Sequence, residues 1–571
     1  MTSKKVVTFL LLTLFLAACS APQPAATEPP SASEAVAQET APAATPPDAA
    51  AEFNGLPLVT DRGELFSGSG VCVACHTGMV DEAGVDVSID RSWSATMLAN
   101  ASKDPYYLAT VRSEVTMAPD MQAVIEDKCS SCHMPMAFLT ATFKDEPAAM
   151  LDAGFKSAEH PLHGLAQDSI SCNLCHQLEP DNFGAEASFS GGFAVDTELA
   201  SGERKSYGPY VVDDQQASVM QAASGFVPVQ GLHTAQSELC ASCHNLVTPY
   251  LDAAGQVAGE FPEQAIYSEW QNSVYKAEST CIDCHMPVAK GNVQISLVGG
   301  PPRSPFSRHV FAGGNAFMLS MLRENGEEIG ITARPADLDQ SIQAASDIIG
   351  KQSATLAVEN LKLDGTALTG EVVITSQTGH KFPAGYPSRR AWLHITVKDA
   401  SGATVFESGA VNEDGLITGN DNDADPAVYE PHYTALTTPD QVQIYETILI
   451  NSDGEVTTKL LRSAAYAKDN RLLPVGFDLK KATQDTLVFG DAAEDPDFAA
   501  GGDKLSLQID LGSAAGPFTI HAELLYQSIG YRWAQNLMLE ENPEAADFSG
   551  YYATVPNLPL VAAQAEATVA P

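Results

Sequence analysis

Cysteine is missing wherever a disulfide would need it. The chain has 571 residues and 11 cysteines; ten sit in five copies of one spacing, and the eleventh is Cys19. No pair is left to form a cross-linked scaffold of the kind small secreted domains use. Basic residues are also scarce: 31 Lys and Arg stand against 72 Asp and Glu, a formal charge of −41. Phosphate backbones are gripped by Lys and Arg, so nucleic-acid binding is excluded as a function class. An acidic surface keeps a chain in solution and steers basic redox partners at low salt. Long apolar runs are lacking as well. The stretch 6–16 is too short to span a bilayer, and no run of 18 apolar residues follows it. From 20 to 51 large apolar residues nearly vanish, and Pro, Ala, Ser, Thr and Glu take their place. Such a segment cannot bury enough surface to fold and reads as a disordered tether.

What is present begins at the N-terminus. Lys4 and Lys5 precede the apolar run, and Leu16-Ala17-Ala18-Cys19 closes it. This resembles the lipobox of bacterial lipoproteins, with a signal peptide over 1–18 and a diacylglyceryl group on Cys19. The membrane would then be met through a lipid anchor only. Ser20, where an aspartate would retain the protein at the inner membrane, leans the expected location to the outer membrane.

The five repeats are Cys72-Val73-Ala74-Cys75-His76, Cys129-Ser130-Ser131-Cys132-His133, Cys172-Asn173-Leu174-Cys175-His176, Cys240-Ala241-Ser242-Cys243-His244 and Cys281-Ile282-Asp283-Cys284-His285. Cys-x-x-Cys-His is the attachment signature of a c-type haem. Two thiols reach the two vinyl groups of one porphyrin, and the next side chain gives its imidazole to the iron. Structural zinc would use Cys-x-x-Cys pairs two at a time or with distant histidines, which leaves one pair of the five over and the adjacent histidines unexplained. A thioredoxin-like site would need only one pair. The spacing therefore predicts five covalent haem c groups, with His76, His133, His176, His244 and His285 as proximal ligands. Export fits this cofactor, which is attached outside the cytoplasm.

The pattern along the chain predicts an α+β multidomain architecture. A mainly helical and irregular multihaem domain is expected over 55–349, with helices over 120–128, 313–322 and 337–349 and a stop at Gly350. After Gly350 apolar residues alternate with polar ones at 356–363, 393–397, 442–450, 505–511 and 520–524. This predicts an antiparallel β-sandwich-like domain over 350–535. Residues 19–54 are assigned to the tether and 536–571 to an irregular tail.

Low-spin electron-transfer haems take a second axial ligand, usually His or Met. Eight histidines remain: His160, His163, His233, His309, His380, His394, His432 and His521. His394 and His521 fall on polar positions of strands and read as surface residues. His432 has no evident place. His163 and His233 lie nine and seven residues ahead of the third and fourth motifs. His309 opens a glycine-bearing stretch, and His380 sits in Gly379-His380-Lys381-Phe382-Pro383. These four are the candidate distal ligands. For the fifth iron the candidate is Met97, with His160 as the other choice; a core methionine is the bland alternative. Asn420-Asp421-Asn422-Asp423-Ala424-Asp425 offers oxygen ligands of the kind calcium takes, although a solvated acidic turn reads as well.

The repeated motif, Met134-Pro135 and Met286-Pro287 after two copies, Trp270 to Ser273 ahead of the fifth, Asp104-Pro105, Arg308-His309 to Asn315 and the 379–383 stretch together resemble the multihaem cytochromes c of the cytochrome c-554/hydroxylamine-oxidoreductase-like family, over about 65–320. The resemblance implies stacked haems that pass electrons along a chain, with His163, His233, His309 and His380 as distal ligands. There are departures. Five motifs are too few for a hydroxylamine oxidoreductase. No Cys-x-x-Cys-Lys occurs, as it often does in pentahaem nitrite reductases. The expected function is extracytoplasmic electron transfer between redox partner proteins, in anaerobic or extracellular respiration. The alternative is a reductase of a small oxyanion with one open iron.

Overall fold

The structure, a computed structural model, describes residues 53–570. The lipobox at Cys19 and most of the tether lie outside the described residues. From Phe53 onward the chain forms one compact unit. The boundary expected between 349 and 350 does not separate two bodies, because hydrogen bonds cross it throughout. Val274 N–H donates to Val475 O (3.0 Å). The Leu460 N–H donates to Glu114 Oε1 (2.7 Å) and the Lys381 N–H to Glu269 Oε2 (3.0 Å).

Short helices dominate the first half. Pro105–Met117 starts with Asp104 as N-cap and Pro105 in the first turn, a pairing that suits orphan N–H groups and a fixed φ. Gln122–His133 carries the second motif at its C-terminal end. Ala316–Glu324 buries Phe317, Met318, Met321 and Leu322. The Pro335–Gln352 helix buries Leu338, Ala345 and Ile349 and runs past the expected stop at Gly350. Gly350 serves another purpose: a Cβ there would stand 3.2 Å from Val561 O, so the glycine admits a neighbouring strand. The region is not purely helical, since Asn245–Leu251 and Val257–Ala265 form an antiparallel hairpin directly after the fourth motif.

The second half is a two-sheet sandwich, and the alternation found in the sequence explains it. In one sheet Thr404–Ser408, Arg390–Lys398, Phe518–Gln527 and Leu560–Val569 lie side by side, antiparallel. In the other Ala354–Asp364, Ala367–Ser376 and Gly502–Asp510 pair antiparallel. Side chains alternate between faces along a strand. Leu393, Ile395, Val397, Ile520, Ala522 and Leu524 thus meet Leu368, Val372, Ile374, Leu505, Leu507 and Ile509 in one core. Their neighbours His394, Glu523 and His521 face outward, and His394 pairs with Glu407 (3.0 Å) and Glu523 (3.1 Å).

The tail expected to be irregular over 536–571 holds regular elements among its described residues: its helix packs on Pro105–Met117 and its strand joins the sandwich. Pro543–Tyr552 is a helix, and Leu560–Val569 pairs with Phe518–Tyr526. Its alternation is carried by alanines, too small to mark a buried face in the sequence. Only Ala562 is fully covered.

Candidate functional site

Each motif forms a short helix or ends one: Ser69–Val73, Gln122–His133, Cys172–Cys175, Ser237–His244 and Cys281–His285. On a helix, residues three and four apart share a face. In the second, fourth and fifth motifs, whose helices include both cysteines and the histidine, the thiols and imidazole are therefore presented together, whereas Cys75 and His76 of the first and His176 of the third follow the helix end. The fifth helix is capped by Thr280, whose N–H and Oγ1 donate to Asp283 (2.7 and 2.9 Å). All ten thiols are free.

Four of the five imidazoles, all but that of His244, share one hydrogen-bonding pattern. His76 Nδ1 donates to Ile295 O (2.7 Å), His133 Nδ1 to Ala101 O (3.2 Å), and the Nδ1 atoms of His176 and His285 to Tyr207 O and Ala312 O. A carbonyl can only accept, so Nδ1 carries the proton and Nε2 keeps its lone pair. That is the tautomer a metal ligand needs, and such a carbonyl is the usual partner behind it. Tyr107 stacks on His133 with ring centres 3.6 Å apart, which further fixes that ring. Burial disfavours the imidazolium form and pulls His133 and His244 down to about 4.

The motifs converge in space in an order unlike that of the chain. Cys72 lies beside Cys172, Cys132 beside Cys243, and Cys240 beside Cys281. Cys175 lies close to both Cys240 and Cys243. The fourth motif is thus the neighbour of the second, third and fifth.

The other candidates divide. His380 faces the fifth motif, with its ring centre 6.3 Å from that of His285 and the planes 15° apart. Its Nδ1 is tied to Lys381 O (3.0 Å). A metal–imidazole bond is about 2.0–2.1 Å, so two in line, with roughly 1.1 Å from each nitrogen to its ring centre, put the centres about 6.3 Å apart. The two rings have the spacing of imidazoles that share one metal. His163 Nδ1 is held by Phe155 O (3.0 Å). The ring lines a cavity of about 480 Å³ with Ser102, Lys103, Leu108 and Lys156. Lys103 is almost fully buried, which brings it down to about 8 against the pull of Asp168. His309 is half-buried near His176 and His76, and its Nδ1 makes no aligned hydrogen bond. His233 is turned the other way: Nε2 is engaged by Leu178 O (3.0 Å). Met97 packs among apolar side chains that include Tyr106, Phe317 and Leu319. His160 accepts from the Leu162 N–H.

The loop that the sequence suggests for calcium, and one cluster found only in the structure, meet occupied groups. In the 420–425 loop Asp423 is taken by Arg390 (2.7 and 3.0 Å) and by the Ile417 N–H, and Asn420 caps the Asp421–Ala424 turn. His432, Asp495 and Asp503 cluster in the sandwich, the one trio among the described residues close enough to share an ion. There Gln443 and Asn470 amides donate to His432 Nδ1 (2.9 and 3.0 Å). Their own oxygens are fixed by the Tyr433 and Glu446 N–H groups. Nδ1 is therefore the acceptor, and Nε2 carries a proton that it gives to Asp495 (3.2 Å). The trio is satisfied without a metal.

Sequence reasoning missed a group behind His380. Glu269, Lys381, Asp469 and Arg471 are all buried, with Lys381 and Glu269 at 0 % exposure. Lys381 Nζ meets Asp469 Oδ2 at 2.7 Å, and Arg471 meets Asp469 at 2.9 Å and Glu269 at 3.0 Å. Lys381, a charged residue set among apolar ones next to His380, was the available signal.

Searches against family models and curated proteins return no match. Among solved structures the chain is similar to a penta-haem cytochrome c552 from Thermochromatium tepidum, at 15% identity and a TM-score of 0.47, covering 88% of this chain and 98% of that one.

Proposed function

We propose that each of the five motifs carries a covalently attached haem c and that the chain is an extracytoplasmic electron carrier. Bound there, haem c supplies one-electron iron chemistry, with potentials set by axial ligand, burial and hydrogen bonding. The protein's part is to hold and orient. Its thiols tether, its carbonyls fix the histidine tautomers, and burial favours the neutral form of His133, His176 and His244. The observation that carries the reading is the His285–His380 pair, 6.3 Å between ring centres with nearly parallel planes. Histidine on both sides favours a low potential, suited to anaerobic or extracellular respiration. Neighbouring thiols of different motifs, the first with the third, the second with the fourth and the fourth with the fifth, set the attachment points side by side, an arrangement suited to passing electrons on. Acylation of Cys19 would tether the protein to a membrane, and a basic redox partner suits the charge of −41.

The test is intact mass together with the haem spectrum of the purified protein. Five porphyrins per chain that survive acid–acetone extraction support the reading. A mass equal to that of the bare polypeptide ends it. A second reading, reduction of a small oxyanion at an open iron, is favoured by one observation: His233 has its Nε2 engaged and Met97 is packed in apolar surroundings. A high-spin fraction that binds cyanide or nitrite would select it, and wholly low-spin haem would select the carrier.

A further inference from the structure

We infer that the buried quartet Glu269, Lys381, Asp469 and Arg471 is the positioning device for His380 at the fifth motif. The inference rests on the haem reading above and deepens it. Three observations carry it. The first is connection. Glu269 lies on the Ile266–Gln271 helix, on the same side as the motifs, and its Oε2 accepts the backbone N–H of Lys381 at 3.0 Å. The carboxylate thus grips the peptide that follows His380. The second is rigidity. Lys381 Nζ is pinned between Asp469 Oδ2 (2.7 Å) and Leu487 O (2.8 Å). Arg471 closes the ring with two hydrogen bonds to Asp469 (both 2.9 Å) and an ion pair to Glu269 (3.0 Å). Each residue is held by at least one other, so the loop carrying His380 cannot shift without breaking a buried charge pair. The third is charge balance. Two carboxylates face two cations with all four side chains buried, and both Glu269 and Arg389 lie within electrostatic reach of His380. The quartet holds the ligand without adding net charge beside it.

The roles can be separated. These residues do not ligate; they act through His380. If they only stabilised the fold, their loss would lower stability and leave the spectrum and potentials alone. As positioning residues they must move one site and not the other four.

The experiment uses the full holoprotein. Glu269→Gln keeps shape and removes one negative charge; Asp469→Asn does the same from the far side of the ring; Lys381→Met removes a positive charge. Redox titration and low-temperature EPR are read on each, beside wild type and His380→Ala. The expected result is an upward shift of one midpoint potential in Glu269→Gln and Asp469→Asn, because the excess positive charge favours the reduced iron. Lys381→Met should shift the same potential downward. Some loss of low-spin signal, at most one haem equivalent, should accompany Glu269→Gln, and Glu269→Asp should restore the potential more fully than the ligation. Five unmoved potentials and an unchanged EPR spectrum in both carboxylate variants overturn the inference. Should Glu269→Gln fail to fold, Asp469→Asn and Lys381→Met decide by the opposite signs of their shifts. His380→Ala separates the two levels. If it produces no high-spin haem, the ligation reading itself is wrong. If it does, while the quartet variants change nothing, only the positioning role fails.

Discussion

Removing the ammonium of Lys381 should destabilise the protein, and removing its partner as well should give part of that back. The Lys381 side chain is fully buried, with Nζ 2.7 Å from Asp469 and 2.8 Å from Leu487 O. Breaking a buried pair by deleting one partner costs about 3–5 kcal/mol, because the other charge stays behind. Here Asp469 keeps Arg471 on both of its oxygens, at 2.9 Å each. Lys381→Met should therefore fall at the low end, about 3 kcal/mol, with methionine filling the space so that little cavity cost is added. The single variant leaves two carboxylates against one guanidinium. Lys381→Met with Asp469→Asn leaves Arg471 and Glu269, a balanced pair 3.0 Å apart. The double variant should thus be more stable than Lys381→Met alone by roughly 1 kcal/mol, within the range of coupling seen between residues in contact. Urea unfolding of the holoprotein at neutral pH, followed by far-ultraviolet circular dichroism, measures both. A single-variant loss below about 1 kcal/mol, or a double variant less stable than the single, would refute the account.

Other expectations follow from burial and pairing. Burial pushes His432 down to about 4, whereas the unfolded chain takes that proton near 6.5. Stability should therefore fall as pH drops from about 6.5 towards 4, by up to about 3 kcal/mol from this group. His432→Gln should flatten that limb in pH-dependent unfolding, and parallel curves would count against it. Glu114 shifts the opposite way, raised by burial to about 7. Its folded form keeps a proton that the unfolded chain releases near 4.3, so stability falls as pH rises through that window. Glu114→Gln should then be the more stable protein at pH 8, by up to about 3 kcal/mol, still accepting from the Leu460 N–H. Ending the chain at residue 558 removes the strand paired with Phe518–Tyr526 and opens a sheet edge. The truncated protein should aggregate or lose cooperative unfolding by sedimentation and calorimetry, and wild-type behaviour would show that the strand is dispensable.

The chemistry of the motifs was legible because it is local. Five residues at fixed spacing define a helical face, and nothing distant is needed to recognise it. The strands were legible where large side chains alternate, as at Leu393, Ile395 and Val397. They were not where alanine does the alternating, as in Leu560–Val569, because so small a side chain signals little about burial. Gly350 misled for a related reason. A glycine in a helix looks like a stop, and only the approach of Val561 O at 3.2 Å shows why it lies inside one. The candidate distal histidines were half legible. His380 stood out by its loop, and its partner could be named only from the 6.3 Å spacing to His285. The opposite orientation of His233 depends on Leu178 O, 55 positions away, and no local pattern encodes it. The buried quartet draws on Glu269, Lys381, Asp469 and Arg471, and such long-range pairing leaves no trace in spacing.

The sandwich without a motif is not an appendage of the motif-bearing half. His380 lies between Ala367–Ser376 and Arg390–Lys398, strands of opposite sheets, so its loop runs along the edge of the sandwich where the chain crosses over. Phe382 and Leu472 exchange backbone hydrogen bonds (2.9 and 2.8 Å), and Thr378 Oγ1 closes on His380 O, which ties the loop at both ends. A ligand on a free loop would pay ordering entropy each time it closed on a metal, about 1–2 kcal/mol per residue fixed. Anchored this way, the cost is met once, in folding. The carbonyls that hold the motif imidazoles follow the same logic, since Ile295 serves His76 from 219 positions away and Ala101 serves His133 from 32. Ligand geometry and tertiary fold are therefore one cooperative property of the chain: perturbing the sandwich core must loosen His380, whereas a change confined to the exposed edge of Thr404–Ser408 should leave it unmoved.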